Sequence, residues 1–199
     1  MYKSAPTLFP LFLKLSGRPV LLVGGGPVAT MKARALAEAA ARVTVVSPAL
    51  TEELERLAAE QKWTVQRRPF AATDLDQPWL VVAAAPPAVN AEVSAAADAR
   101  RIFVVAVDDP TAASAYGAGI VRRAGVTVAI STAGQAPALA GLLREGLEAV
   151  LPEDLDAWCA EASRLRPDWR AAGVPMADRR PRLLQALNAL YGSAEAAHG

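Results

Sequence analysis

The stretch Val20-Leu21-Leu22-Val23-Gly24-Gly25-Gly26-Pro27-Val28-Ala29 decides how this 199-residue chain is read. Four apolar residues running into glycines describe a strand buried on both faces, the habit of parallel sheets. From Pro27 to about Ala39 the residues are helix formers, with Val28, Met31, Ala35 and Leu36 at helical spacing and Lys32 and Arg34 directed elsewhere. A strand, a glycine turn and a helix follow one another without a linker.

The alternation continues outward. Val43 to Val46 reads as a second strand, and Thr51 with Glu52, Glu53 and Leu54 opens a second helix. Trp63 to Arg67 reads as a third strand, Leu80 to Ala84 as a fourth, Ala88 to Ala99 as a helix, and Ile102 to Val107 as a fifth strand ending on Asp108-Asp109-Pro110. Parallel neighbours need a long return path, so this rhythm predicts an α/β, Rossmann-like, doubly wound parallel sheet.

After Pro110 the rhythm changes. Tyr116 to Arg123, Val126 to Ser131 and a helix over Pro137 to Val150 predict a β-β-α segment too small to bury both its faces alone. Pro152, Pro167, Pro175 and Pro181 then punctuate two helical stretches, Glu153 to Leu165 and Arg182 to Tyr191, read as a helical cap. The expected division is a dinucleotide-binding domain over 1–112, a dimerisation and substrate segment over 113–150 and a C-terminal helical domain over 151–199.

Composition narrows the partners. Hydrophobic residues make up 53% and charged ones 21%, with a net charge of +1, which suggests neither disorder nor a nucleic-acid footprint. A small-molecule partner is expected. The single cysteine, Cys159, cannot form an internal disulfide, which fits a cytoplasmic protein. Leu8 to Leu15 is too short, and too broken by Pro10 and Lys14, for a cleavable signal, and no apolar run reaches bilayer length, so no membrane partner is expected. The only histidine, His198, lies in a polar tail, so neither a histidine metal site nor a Ser-His-Asp triad is expected, and no metal ligands are assigned.

Gly24-x-Gly26-x-x-Ala29, placed after a strand and at the start of a helix, is the context that gives this weak pattern weight. Gly24 supplies the tight turn, Gly26 the close backbone approach to a pyrophosphate, and Ala29 the close packing of helix on sheet, while the first helical turn offers unpaired N–H groups to the anion. Pro27 is tolerated there because its N–H would be unpaired anyway. The run Gly24, Gly25, Gly26, Pro27, Val28 and Ala29 is the expected cofactor site. A carboxylate for the ribose is expected at the end of the second strand, but the sequence is Val45-Val46-Ser47-Pro48. Ser47 can hydrogen-bond a hydroxyl, and without the carboxylate the choice between NAD and NADP stays open. Arg67 and Arg68 read first as a solvated basic pair and second as ligands for a 2′-phosphate.

With these pieces placed, the chain resembles the precorrin-2 dehydrogenase/sirohydrochlorin ferrochelatase family, the siroheme synthase N-terminal module. The carriers are Phe9-Pro10-Leu11-Phe12-Leu13 with Leu15 and Gly17-Arg18; the Val23 to Ala29 turn with Lys32; Ala83-Ala84 followed by Asn90; Val107-Asp108-Asp109-Pro110; and Ile130-Ser131-Thr132-Ala133-Gly134-Gln135-Ala136-Pro137-Ala138-Leu139-Ala140 running into Leu143-Arg144-Glu145. They cover about residues 8 to 150. The resemblance implies oxidation of precorrin-2 to sirohydrochlorin with NAD as hydride acceptor, in some members insertion of Fe2+ or Co2+ as a metal substrate, and a homodimer built through the segment after Pro110.

The resemblance also assigns residues. Asp108, at the carboxyl end of the fifth strand, matches the family aspartate implicated in both activities and is expected to take a proton. Read without the family it is a turn carboxylate before Pro110, with Asp109 the stronger turn residue of the two. Ser131, Thr132 and Gly134 are expected to meet a carboxylate of the tetrapyrrole, though a plain helix-capping turn reads equally well. Ala84 and Asn90 are expected on the cofactor side, Asn90 also as the residue fixing a loop.

Three departures stand out. Ala113-Ser114-Ala115-Tyr116-Gly117-Ala118-Gly119-Ile120 replaces the family's usual aromatic and proline residues, which predicts a wider substrate wall. Ala85-Pro86-Pro87 stands where a threonine and acidic residues are common. Ala40 falls where the first helix calls for a left-handed glycine, at a cost on the order of 1 kcal/mol. The alternative to an enzyme is a dinucleotide- or tetrapyrrole-binding sensor with the same fold. An ordinary alcohol dehydrogenase is disfavoured, since no His, Lys or Tyr constellation for that chemistry stands out.

Overall fold

The structure, a computed structural model, describes residues 7–196 apart from 108 and 110, and only the backbone of 192–196. Asp108, Pro110 and His198 therefore lie outside the described residues. The chain divides into two compact units, Met1–Ala118 with Ser131–Pro137, and Gly119–Ile130 with Ala138–Gly199.

The first unit holds β1 (Pro19–Val23), α1 (Pro27–Glu38), β2 (Arg42–Val46), α2 (Glu52–Glu60), β3 (Thr64–Gln66), β4 (Leu80–Ala83), α3 (Pro87–Asp98) and β5 (Phe103–Ala106). The strands form one sheet in the order β3-β2-β1-β4-β5, every pair parallel. This is the expected doubly wound sheet. Its order reverses direction between β1 and β4, so the carboxyl ends of those strands face a crevice.

Strand alternation distributes the core over two faces. Val20, Leu22, Val43, Val45, Leu80 and Val82 pack with Ala29, Ala33 and Leu36 of α1 and Leu54 of α2. Leu21, Val23, Val46, Val81 and Val104 pack with Val93 and Ala97 of α3 and with Leu75. Truncating a fully buried member such as Leu22 to alanine is expected to cost about 2–5 kcal/mol. Leu75 belongs to a single 3-10 turn, Ala72–Leu75, that stands in the β3-to-β4 connection where a crossover helix is usual.

The helices of this unit end alike. The Ala41 N–H reaches the Leu36 carbonyl at 3.0 Å and the Ala40 N–H reaches Ala37 at 2.9 Å, with Ala40 at φ 52°. This is the left-handed closure expected at Ala40, and Lys62 (φ 55°) and Arg101 (φ 60°) close α2 and α3 in the same way.

The second unit opens with the antiparallel hairpin β6 (Gly119–Arg123) and β7 (Val126–Ile130). Ala124 and Gly125 turn it with φ 49° and 78°, the positive pair of a type I′ turn, whose twist suits a two-residue hairpin. α4 (Pro137–Val150), α5 (Leu155–Ala171) and α6 (Met176–Ala196) follow. Arg123 donates to the Leu151 carbonyl at 2.7 Å, just beyond the end of α4. The Trp158 indole N–H donates to the Tyr191 hydroxyl at 2.6 Å with the rings edge to face, tying α5 to α6. Among the described residues no helix is long and apolar enough to cross a membrane.

Three boundaries differ from the sequence reading. β6 begins at Gly119 rather than Tyr116, because the Ser114 and Ala115 N–H groups both bond the Val104 carbonyl and draw that stretch onto β5. α5 runs through Pro167 to Ala171, and α6 starts at Met176 and runs through Pro181. A proline removes its own N–H from the helix ladder and crowds the carbonyl one turn back, which weakens a helix without always ending it.

Candidate functional site

The glycine turn connects β1 to α1 at the switch point of the sheet. Gly24 has φ 120°, and a β-carbon on it would stand 2.2 Å from the Ala84 carbonyl oxygen. A β-carbon on Gly25 would stand 1.9 Å from the Ala49 carbonyl oxygen and 2.8 Å from Ser47 Oγ. Both positions are closed to any side chain by backbone of the neighbouring strand ends. Gly26 meets nothing within 4 Å, so its missing side chain leaves open space in front of the turn.

Gly26 is the N-cap of α1 and supplies no side-chain cap, and Pro27 follows at the first helical position. The Thr30 N–H is the first to reach an intrahelical acceptor, the Gly26 carbonyl at 3.0 Å. The Val28 and Ala29 N–H groups therefore face out of the helix end, where they and the helix dipole favour an anion. Ala29 is fully buried against the sheet, while Val28 is partly exposed on the rim.

In front of this turn lies a cleft of about 820 Å³ lined by Gly24, Gly25, Gly26, Pro27 and Val28, by Val46 to Thr51, by Pro69 and Phe70, and by Ala84, Ala85, Pro86, Val89 and Glu92. It runs across the carboxyl ends of β1, β2 and β4. Its open space at Gly26 and uncapped helix end fit a pyrophosphate.

Each expected cofactor residue has a definite place. Ser47 is buried and donates its hydroxyl proton to the Ala49 carbonyl at 2.8 Å, so toward a ribose hydroxyl it offers an acceptor. Ala84 lines the cleft and donates its N–H to the Val23 carbonyl at 2.8 Å. Asn90 is buried on α3, and its Oδ1 accepts the Ala85 N–H at 2.9 Å, which holds the cleft wall at 84–85.

The residues expected to meet substrate form a turn. Ala133 (φ 52°) and Gly134 (φ 74°) are its central pair, and the Gln135 N–H donates to the Thr132 carbonyl at 3.0 Å. The Ser131 hydroxyl accepts the Ala133 N–H at 3.2 Å, and the Thr132 hydroxyl accepts the Ala136 N–H at 3.2 Å, just before α4. Both hydroxyls keep a proton to donate. Asp109 behaves as the turn residue: one carboxylate oxygen accepts the Thr111 N–H at 3.0 Å, the Thr111 hydroxyl at 2.6 Å and the Ala112 N–H at 3.1 Å. The Thr111 hydroxyl first and then the Ala112 N–H hold its pKa below the usual carboxylate range.

Several participants were not read from the sequence. The Thr30 hydroxyl stands 2.7 Å from that of Thr51, and Thr51 Oγ accepts the Leu54 N–H as the N-cap of α2, so the glycine turn is tied to the second helix. Ser114 Oγ accepts the Val104 N–H at 2.8 Å, covering the edge of β5. Phe70, Val89 and Glu92 line the cleft without carrying a motif. Among the described residues no group of three or more His, Cys, Asp or Glu side chains is placed to hold a metal ion.

Residues 11–118 match the protein family described as "Putative NAD(P)-binding". "Siroheme synthase 3" of Aeromonas hydrophila is 47% identical over 172 residues, covering 86% of this chain and 37% of that protein. "Siroheme synthase" of Tolumonas auensis is 46% identical over 81% of this chain and 33% of its own length. The chain thus spans little more than a third of the length of the curated relatives it matches. The solved structure of "SirC, precorrin-2 dehydrogenase" has a TM-score of 0.71 at 24% identity, over 89% of this chain and 88% of that one, which shows a shared fold. These likenesses agree with the resemblance carried by the ordered motifs. With its glycine cradle inside the matched stretch, the chain belongs to the NAD(P)-binding family, and its relatives include siroheme synthases.

Proposed function

We propose that this chain is a precorrin-2 dehydrogenase that oxidises precorrin-2 to sirohydrochlorin in siroheme biosynthesis, with NAD as acceptor. The observation that carries the reading is the 47% identity to a siroheme synthase over 86% of the chain. The bound nicotinamide supplies a hydride acceptor. The chain's own part is to seat the pyrophosphate on the Val28 and Ala29 N–H groups, present Ser47 to a ribose hydroxyl, and keep the wall at Ala84-Ala85 in place through Asn90.

The oxidation removes a hydride and a proton from the macrocycle, so a base is required. Asp108 is our candidate for it, two residues along the sequence from the last residue of β5, the strand end where open parallel sheets hold their ligands. Asp109, engaged by Thr111 and Ala112, is committed to the turn, which favours its neighbour for the chemistry. Ser131, Thr132 and Gly134 are proposed to meet an acetate or propionate of the substrate. Insertion of Fe2+ or Co2+ as a second, chelatase activity would use the same aspartate and the macrocycle's own nitrogens.

The chain is proposed to work in the cytoplasm as a homodimer. α4 leaves Leu139, Leu142, Leu143 and Val150 exposed, an apolar area that a second copy would cover. The functional division at 112 and 150 belongs to the same proposal.

Incubating the purified chain with precorrin-2 and NAD should yield NADH and the absorption of sirohydrochlorin. Asp108→Asn should bind NADH normally and turn over far more slowly. Tight dinucleotide binding with no product from the wild type would replace this reading with that of a sensor.

A further inference from the structure

We infer that Asp74 reserves the cleft for the unphosphorylated dinucleotide by holding Arg68 away from the ribose 2′ position. This rests on the reading of the cleft as a dinucleotide site. In such sheets the adenosine ribose lies over the carboxyl end of the second strand, here Val46 and Ser47, both of which line the cleft. A phosphate on its 2′ oxygen adds negative charge that must be paired once it leaves water. Among the described residues lining the cleft, Glu92 is the only charged side chain.

The cations nearest along the chain are Arg67 and Arg68. The Ser47 N–H donates to the Gln66 carbonyl at 3.2 Å, and Pro69 and Phe70 line the cleft, so the two arginines sit on the short backbone stretch between Gln66, bonded to a cleft residue, and the cleft wall at Pro69. Arg67 pairs with Glu55 at 2.8 Å in an exposed contact that solvent competes with readily. Arg68 is held differently. Its Nη1 donates to Asp74 Oδ2 at 2.9 Å and to the Pro69 carbonyl at 2.9 Å, and its Nη2 donates to Asp74 Oδ1 at 2.5 Å and to the Gln66 side-chain oxygen.

Asp74 is the fixed half of the pair. Its side chain is 6% exposed and also accepts the Ala71 N–H at 2.9 Å. A planar guanidinium gripped on both terminal nitrogens cannot turn toward a phosphate without leaving that buried carboxylate uncompensated in charge, with the Ala71 N–H as its one remaining partner. Asp74 is thus a positioning residue that acts through Arg68, and the NADP form meets a cleft whose nearest cation along the chain, Arg68, is already engaged.

Fluorescence titration of the purified chain with NADH and with NADPH reads this without turnover. The wild type should bind NADH on the order of tenfold or more tighter than NADPH, the scale of one charged hydrogen-bonded contact. Asp74→Asn should raise NADPH affinity about tenfold while leaving NADH within about twofold, and Arg68→Met added to it should remove that gain. Arg68→Met alone, which tests the idea even where Asp74→Asn does not fold, should leave the wild-type ratio unchanged. Equal affinity of the wild type for both dinucleotides, a selective loss of NADPH in Arg68→Met, or a parallel change for both in Asp74→Asn would overturn the inference. Failure of the wild type to bind either dinucleotide would instead overturn the reading of the cleft, and the inference with it.

Discussion

Gly25 lies so close to Ala49 that a β-carbon on the glycine would stand 1.9 Å from the alanine's carbonyl oxygen, while the Thr51 N–H donates to the Gly25 carbonyl at 2.8 Å. Backbone meets backbone here, with no flexible side chain to give way. Gly25→Ala is expected to destabilise the fold by about 1–3 kcal/mol, by the same logic that makes overpacked cores unstable. Gly26→Ala should behave in the opposite way, because its site is open and its φ of −81° suits any residue. Its melting temperature should stay near the wild type's while NADH affinity falls, since the new methyl occupies the pyrophosphate's approach. Equal losses of stability in the two variants would contradict this division of roles.

Three helices end on side chains held in the left-handed region, at Ala40, Lys62 and Arg101. A β-carbon in that conformation crowds its own carbonyl by roughly 1 kcal/mol or more. Each of Ala40→Gly, Lys62→Gly and Arg101→Gly is therefore expected to raise stability by about 0.5–1 kcal/mol in urea denaturation, net of glycine's greater chain entropy. The three sites close different helices, so their gains should add in the triple variant. A decrease at any one would show that its left-handed residue carries no strain.

Two buried polar side chains on α3 predict opposite outcomes on replacement by alanine. Asn90→Ala leaves the Ala85 N–H without its acceptor, which should cost about 1–3 kcal/mol and weaken dinucleotide binding through the wall at 84–85. Ser94 has a buried hydroxyl with no hydrogen-bond partner among the described residues. Ser94→Ala removes that unpaired group and improves helix propensity, so a gain of about 0.5–1 kcal/mol is expected. Thermal melts of the two variants beside the wild type would measure both signs.

Asp74 gives the fold an acid dependence whose direction follows from its surroundings. Burial works to raise its pKa, but the hydrogen bond from Arg68, the Ala71 N–H and the Arg68 charge outweigh it and hold the carboxyl below its ordinary value. A group whose folded pKa is depressed contributes stability above its unfolded pKa, about 3.9, and loses it as pH falls through the folded value. Wild-type stability should therefore drop on acidification below about pH 4, and more steeply than that of Asp74→Asn. Urea midpoints measured from neutral pH into this range would compare the two slopes, and identical slopes would remove Asp74 from the account.

Much of the architecture was legible because it is local. The apolar run Val20 to Val23 reads as a buried strand, and glycines followed by Pro27 read as the opening of a helix, as the structure has them. Thr51 was recognisable as a helix start, and Ala40 as a left-handed closure, because capping and termination depend on a few consecutive residues. Pro167 and Pro181 misled for the complementary reason: a proline lowers a local preference, while packing such as that of Trp158 on Tyr191 decides whether the helix continues.

The sequence by itself determined that this chain winds a parallel sheet around a glycine turn at Gly24 to Ala29, since periodicity, glycine conformational freedom and capping act between near neighbours. Only the tertiary structure decided that Gly25 faces Ala49, that Ser47 turns its proton to Ala49, that Ser114 covers the edge of β5, and that Arg68 is locked to Asp74 rather than solvated. Those relationships depend on where the fold places a carbonyl or a carboxylate in space, and a donor's choice of partner among many candidates is settled by that placement.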